Sequence, residues 1–154
     1  MKFPLKDLRA TRALAGRIAK ALSGRELVLL TGELGSGKTT FVRYLASALG
    51  IPKGWVSSPS FTLVQCYPAG RGGFGLTHVD LYRLAGSEEI EGLGLEEILA
   101  GDDLVVVEWP EAGGNLWRRC GRPILTVRFS SRKDGTRQAT ADEEILQARG
   151  APLS

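Results

Sequence analysis

ELVLLTGELGSGKTTFVRYLASALG, residues 26–50, decides how this chain is read. ELVLLT is a short apolar run, the pattern of a strand buried on both faces. GELGSGKT, residues 32–39, follows at once and fits G-x-x-x-x-G-K-[ST] at every fixed position. From Thr39 to Leu49 the apolar residues Phe41, Leu45 and Leu49 share one helical face, and Gly50 closes the helix. Strand, glycine-rich turn and helix in immediate succession are the context in which this pattern carries chemistry.

Each fixed position has a physical reason. Gly32, Gly35 and Gly37 let the backbone curl so that successive N–H groups point into one concavity that suits an anion. The following helix presents its N-terminus to the same place, which favours phosphate. Lys38 is expected to reach the β- and γ-phosphates of a nucleotide, and the Thr39 hydroxyl to coordinate Mg²⁺. A dinucleotide fingerprint, GxGxxG, is absent.

Working outward, LVVVEWPE at 104–111 poses a problem of its own. Leu104 to Val107 reads as a buried strand, and an unpaired carboxylate is expensive in a core. Open α/β sheets bind ligands beyond the carboxyl ends of their strands, and a nucleotide-bound Mg²⁺ takes protein carboxylates. Glu108 is therefore expected to be a Mg²⁺-side or water-orienting group. Asp80, in THVDLYR, ends a similar apolar stretch and is the second candidate; its plainer alternative is a cap or an ion pair with Arg83. His78 stands two residues earlier, on the same face if the segment is a strand, where it could orient Asp80.

The remaining chain alternates helix and strand. Helical spacing runs from Asp7, a cap, to about Ser23, with Gly24 ending it. FTLVQCY and LTHVDLYRL are strand-like, and the short PAGRGGFG between them implies an antiparallel pair. Ser87 is expected to cap one short helix, and LGLEEILAG is a second. PILTVRFS is another strand, SRKDGTRQATA turns back at Asp134-Gly135, and ADEEILQARG closes as a helix. The fold class is α/β, with a mixed, mainly parallel sheet of the P-loop NTPase type, helices on both faces and an antiparallel strand pair. With no repeat or linker, residues 1–154 are expected to form a single domain.

The net charge of +3 permits contact with nucleic acid without arguing for it, because no run of five basic residues is present. WRRCGR, with Arg118, Arg119 and Arg122, reads as a solvated loop. No apolar run approaches the roughly 20 residues that cross a bilayer, and MKFPLKDLRATRAL lacks the apolar centre of a secretory signal. Two widely separated cysteines, Cys66 and Cys120, read as thiols in a reducing compartment.

Taken in order, GELGSGKTTF, SPSFTLV, HVDLYRL, EEIEGLGLEEIL and VVVEWPE resemble the bacterial TsaE family, over about residues 10–140. The resemblance implies a cytoplasmic protein with a P-loop fold that binds ATP and Mg²⁺. It implies a slow ATPase that works with TsaB and TsaD to form threonylcarbamoyladenosine beside the tRNA anticodon, meeting tRNA only through that complex and no membrane. Carried over by motif, Gly35, Ser36, Gly37, Lys38, Thr39 and Thr40 line the phosphates. Thr39, Glu108 and Asp80 serve the metal, with Lys38, Asp80 and Glu108 catalytic. Thr62 of SPSFTL belongs to a loop sensing the γ-phosphate. Thr11 and Trp109 lie beside the nucleotide; for Trp109, a hydrophobic anchor beside Pro110 is the alternative. Arg137 matches a family arginine without an assigned role. The common Asp and Ala of the glycine-rich turn are Glu33 and Ser36 here. A small-molecule P-loop kinase and a non-catalytic nucleotide switch are the rival readings; a second basic pocket for an acceptor, which a kinase needs, is not evident in the sequence.

Overall fold

The computed structural model describes residues 1–52, 63–84, 86–142 and 145–146. Among them, seven strands form one sheet: β1 (Lys2–Leu5), β2 (Leu27–Thr31), β3 (Val64–Tyr67), β4 (Leu76–Asp80), β5 (Leu104–Glu108), β6 (Ile124–Ser131) and β7 (Arg137–Ala141). Five α-helices accompany them: α1 (Leu8–Ala21), α2 (Lys38–Ala48), α3 (Ser87–Glu91), α4 (Leu95–Ala100) and α5 (Leu116–Arg119), with a 3₁₀ turn at Pro110–Gly113. The strand order is β1-β7-β6-β2-β5-β4-β3.

The centre of the sheet is parallel: β6 with β2, β2 with β5, and β5 with β4. Antiparallel strands complete both sides, β3 on β4, and β7 with β1 beyond β6. The expected β3–β4 pair and the β6–β7 hairpin are both present. Strand β1 has no counterpart in the sequence reading, because four residues of KFPL carry too little periodicity to declare a strand.

The alternation of β2 explains why a run of apolar residues is needed there. Val28 and Leu30 face one cluster with α1 and α2, including Leu14, Ile18, Phe41 and Leu45. Leu27 and Leu29 face a second cluster with Ile90, Leu95, Leu99 and Trp117. The neighbouring β5 behaves the same way, with Leu104 to Val107 fully buried. Each such side chain contributes about 1.5–3 kcal/mol relative to exposure. Helix α1 starts where Asp7 accepts the Ala10 N–H at 2.8 Å. No helix among the described residues is long and apolar enough to cross a membrane.

Three expectations are corrected. Strand β4 stops at Asp80 rather than running on through Leu84. Its Oδ1 accepts the Tyr82 N–H at 3.0 Å, and the Leu84 N–H closes a turn on the Leu81 carbonyl. WRRCGR is not a solvated loop throughout: Leu116–Arg119 is helical, and Arg122 donates to backbone carbonyls. Its Nε reaches Leu99 at 2.7 Å, its Nη1 reaches Asp103 at 2.7 Å, and its Nη2 reaches Gly101. Arg122 thereby closes the C-terminal end of α4, where carbonyls lack helical partners and a cation is favoured. Finally, Gly86, not Ser87, precedes the first turn of α3. Of the terminal helix expected at ADEEILQARG, Ala141 instead ends β7, Asp142 is not helical, and Ile145 and Leu146 are helical; the rest lies outside the described residues.

Candidate functional site

The turn between β2 and α2 is held by close backbone packing. A Cβ at Gly32 would stand 2.3 Å from the Phe129 carbonyl oxygen of β6, so only glycine lets the loop pass over the sheet there. Gly37, with φ +109°, enters α2 in a conformation that other residues resist. No side chain caps α2, so its first turn presents backbone donors at the mouth of the loop. Lys38 is buried under this loop: Nζ donates to the carbonyls of Gly32 at 2.6 Å and Glu33 at 2.9 Å. It also lies 4.0 Å from the Trp109 ring centroid. Burial lowers its affinity for the proton, opposed by the charges of Glu108, Glu111 and Asp80.

The parallel register brings both candidate carboxylates to the same rim. Asp80 is opposite Glu108, and Glu108 is opposite Leu30, one residue before the end of β2. Both carboxylates are buried. The Thr39 hydroxyl lies 3.1 Å from each Glu108 oxygen. His78 Nε2 lies 2.8 Å from Glu108 Oε1. The sequence reading had His78 orienting Asp80; its hydrogen bond instead crosses to the neighbouring strand. Asp80 accepts from the Tyr82 backbone, and burial raises its pKa above the ordinary value, with the nearby Glu108 adding to the rise.

Trp109 follows Glu108 at φ 59°, a left-handed conformation that is an outlier for a bulky residue. This turn redirects the chain out of the sheet and lays the indole against Lys38 and the Tyr82 ring, whose centroids are 4.8 Å apart. Pro110 follows, and its carbonyl accepts from Trp117 Nε1 at 2.7 Å, tying the segment into the second core cluster.

These groups surround a cleft of about 350 Å³. Gly35, Gly37, Lys38, Thr39, Thr40, Asp80, Glu108 and Trp109, all expected from sequence, line it. Leu34, Tyr82 and Arg83 line it too, as does Arg137, which enters from β7. Tyr82 and Arg83 follow Asp80 within DLYR, after Leu81, so closeness in sequence was a usable signal; Arg137 is brought by a strand 98 residues after Thr39 in numbering, and spacing announces nothing. Ser36 is buried behind the loop, 3.5 Å from Lys38 Nζ. Thr11 is buried in the first turn of α1, its hydroxyl donating to the Asp7 carbonyl, and is not among the residues lining the cleft. Thr62 lies outside the described residues.

The donor set suits a cation that arrives with other ligands. Among the described residues, no group of three or more His, Cys, Asp and Glu is arranged to hold a metal. Mg²⁺ typically keeps waters and phosphate oxygens and takes one or two carboxylates. Two buried carboxylates stand here, and Asp80 resists ionisation as the site is. A Thr39 hydroxyl that donates to Glu108 keeps its lone pairs for a cation.

Comparison with known proteins gives one consistent family. The family model described as "Threonylcarbamoyl adenosine biosynthesis protein TsaE" matches residues 5–139. A tRNA threonylcarbamoyladenosine biosynthesis protein TsaE of Streptomyces coelicolor is 46% identical over 101 residues, 65% of this chain and 67% of that protein. Its counterpart in Rickettsia bellii is 42% identical over 134 residues, 87% and 89% of the two chains. The match to the Rickettsia conorii protein, 43% identical, spans only 56% of that relative's length and 66% of this chain. The crystal structure of Bacillus subtilis YdiB superposes with a TM-score of 0.68 at 24% identity, covering 97% of this chain and 93% of that one, and supports the fold.

Proposed function

The chain belongs to the TsaE family, and on that premise we propose that it binds and slowly hydrolyses ATP in support of tRNA threonylcarbamoyladenosine formation. The observation that carries this reading is the meeting of three chain segments at one rim. Lys38 and Thr39 open α2, Glu108 ends β5, and Asp80 ends β4 beside it.

The turn and the first N–H groups of α2 receive the phosphates, and Lys38 neutralises charge on the β- and γ-phosphoryl oxygens. Thr39, with Glu108 and Asp80, would hold Mg²⁺, which would supply charge neutralisation to the phosphates. Water attacks the γ-phosphorus in line as the bond to the β–γ bridging oxygen breaks. Glu108 or Asp80 orients that water and receives its proton. Glu108 Oε1 already accepts from His78, so Oε2 is the oxygen with more capacity left for water. No covalent intermediate on the protein is needed.

The partners are TsaB and TsaD, which carry out the transfer to adenosine while ATP turnover by this chain keeps them cycling. The whole chain acts as one catalytic domain, and Thr62, Thr11, Trp109 and Arg83 contribute around the nucleotide. The test is phosphate release and modified-tRNA formation in a mixture with TsaB and TsaD, using wild type and Lys38→Ala. Loss of both in the variant is expected. Phosphate release unaffected by Lys38→Ala overturns the ATPase reading. Modified tRNA formed equally well without this chain overturns its place in the reaction.

A further inference from the structure

His78 is fully buried, and its Nε2 holds Glu108 Oε1 at 2.8 Å. Its other ring nitrogen, Nδ1, is buried without a hydrogen-bond partner among the described residues. A partnerless buried nitrogen costs stability, and Leu76, which shares the face of β4 with His78, is apolar. An apolar side chain at 78 would avoid that cost. What the imidazole adds is one directed donor to one carboxylate.

We propose that His78 is a positioning residue for Glu108: it fixes the carboxylate in the orientation that serves the Thr39 hydroxyl and the metal side of the cleft. The inference rests on the ATP-and-metal reading and assigns a residue to it. A carboxylate oxygen can only accept, so the shared proton sits on Nε2. Oε1 is thereby occupied from the core side, and Thr39 reaches both oxygens from the loop side. Two donors from different elements leave the Glu108 side chain little rotational freedom. Among the described residues Asp80 has no such side-chain donor; it accepts from the Tyr82 backbone. Glu108 is thus the carboxylate held in place before any ligand arrives. Loss of such an outer partner typically costs about 10–100-fold in metal affinity or activity.

The test uses the full-length chain with a non-hydrolysable ATP analogue and Mn²⁺, followed by electron paramagnetic resonance, beside phosphate release and thermal melting. In His78→Ala, metal-free affinity for the analogue stays within about twofold, while Mn²⁺ half-saturation rises about tenfold and turnover falls by about tenfold or more. His78→Gln, whose amide nitrogen sits near the position of Nε2, recovers most of both. His78→Asn, whose amide is too short, does not. His78→Leu, matched in bulk, behaves as His78→Ala even where it melts higher. Mn²⁺ half-saturation unchanged in His78→Leu and His78→Asn overturns the assignment and leaves a packing role. If wild type itself binds neither analogue nor Mn²⁺, the ATP reading fails and this assignment with it; a wild type that binds both confines any failure to His78.

Discussion

The two ends of the central strands both bury charge, and they treat it in different ways. At the amino ends, Glu26 precedes β2 and accepts from the Ser23 and Gly24 backbone N–H groups and the Ser23 hydroxyl. Nearby, the half-buried Arg122 precedes β6 and spends its guanidinium on the carbonyls of Leu99, Gly101 and Asp103. Each ion is answered by backbone. At the carboxyl ends, Lys38 also donates to the Gly32 and Glu33 carbonyls and Asp80 accepts from the Tyr82 backbone, but all three charges feel one another across the cleft, and the Glu108 carboxylate is met by the side chains of His78 and Thr39. Buried charge satisfied by backbone reads as structure. Buried charge left facing other charge reads as a site awaiting a charged ligand.

That contrast can be broken by substitutions at either end. The largest expected effect is at the carboxyl end: Glu108→Ala lowers phosphate release by about 10²–10³-fold while nucleotide affinity shifts far less, as titration and steady-state turnover would show. Collapsed affinity with normal turnover would remove Glu108 from its role. At the amino end, Glu26→Ala leaves a set of buried donors unanswered and costs about 3 kcal/mol, measured by urea unfolding, with turnover per folded molecule retained. Arg122→Ala costs about 2 kcal/mol by the same argument at the end of α4.

The pH dependence separates the ends by sign. Burial alone would raise the pKa of Glu26, but the hydrogen bonds from Ser23 and Gly24 outweigh it and hold the pKa below 4.5. Its stabilisation is therefore present above the unfolded pKa and is lost as the pH falls through the folded one. Glu26→Gln should remove this contribution to acid unfolding. Asp80 is raised above 3.8, chiefly by burial, so the favourable contribution of its protonated form is lost as the pH rises through its folded pKa. Asp80→Asn, the smallest effect, should raise the neutral-pH melting temperature of the ligand-free protein by about 2 °C while impairing turnover. A lower melting temperature would place Asp80 with the structural charges.

The carboxyl end was the more legible of the two in sequence. The Gly-rich turn has a fixed spacing, and LVVVE advertises a charge that a core would reject, so Lys38, Thr39 and Glu108 could be named before any coordinates. Arg122 of WRRCGR could not be read this way, because its acceptors are main-chain carbonyls, which every residue owns. That His78 meets Glu108, not the Asp80 it could have oriented, was out of reach of periodicity, which places residues on a face of one strand and says nothing of how far a ring reaches across the sheet. Arg137 and β1 depend on pairing at the sheet's far side, where local pattern is short and the partner is distant in sequence.

The left-handed turn at Trp109 has an optical consequence. It parks an indole against an ammonium group and a phenol ring, beside the cleft. Trp117, by contrast, is locked in the core by its bond to Pro110. A ligand that draws Lys38 off the ring face changes the electric field across Trp109 and leaves Trp117 as an internal reference; Trp55, the third tryptophan, lies outside the described residues. The molecule therefore carries its own emission signal for occupancy of the loop, readable without a label.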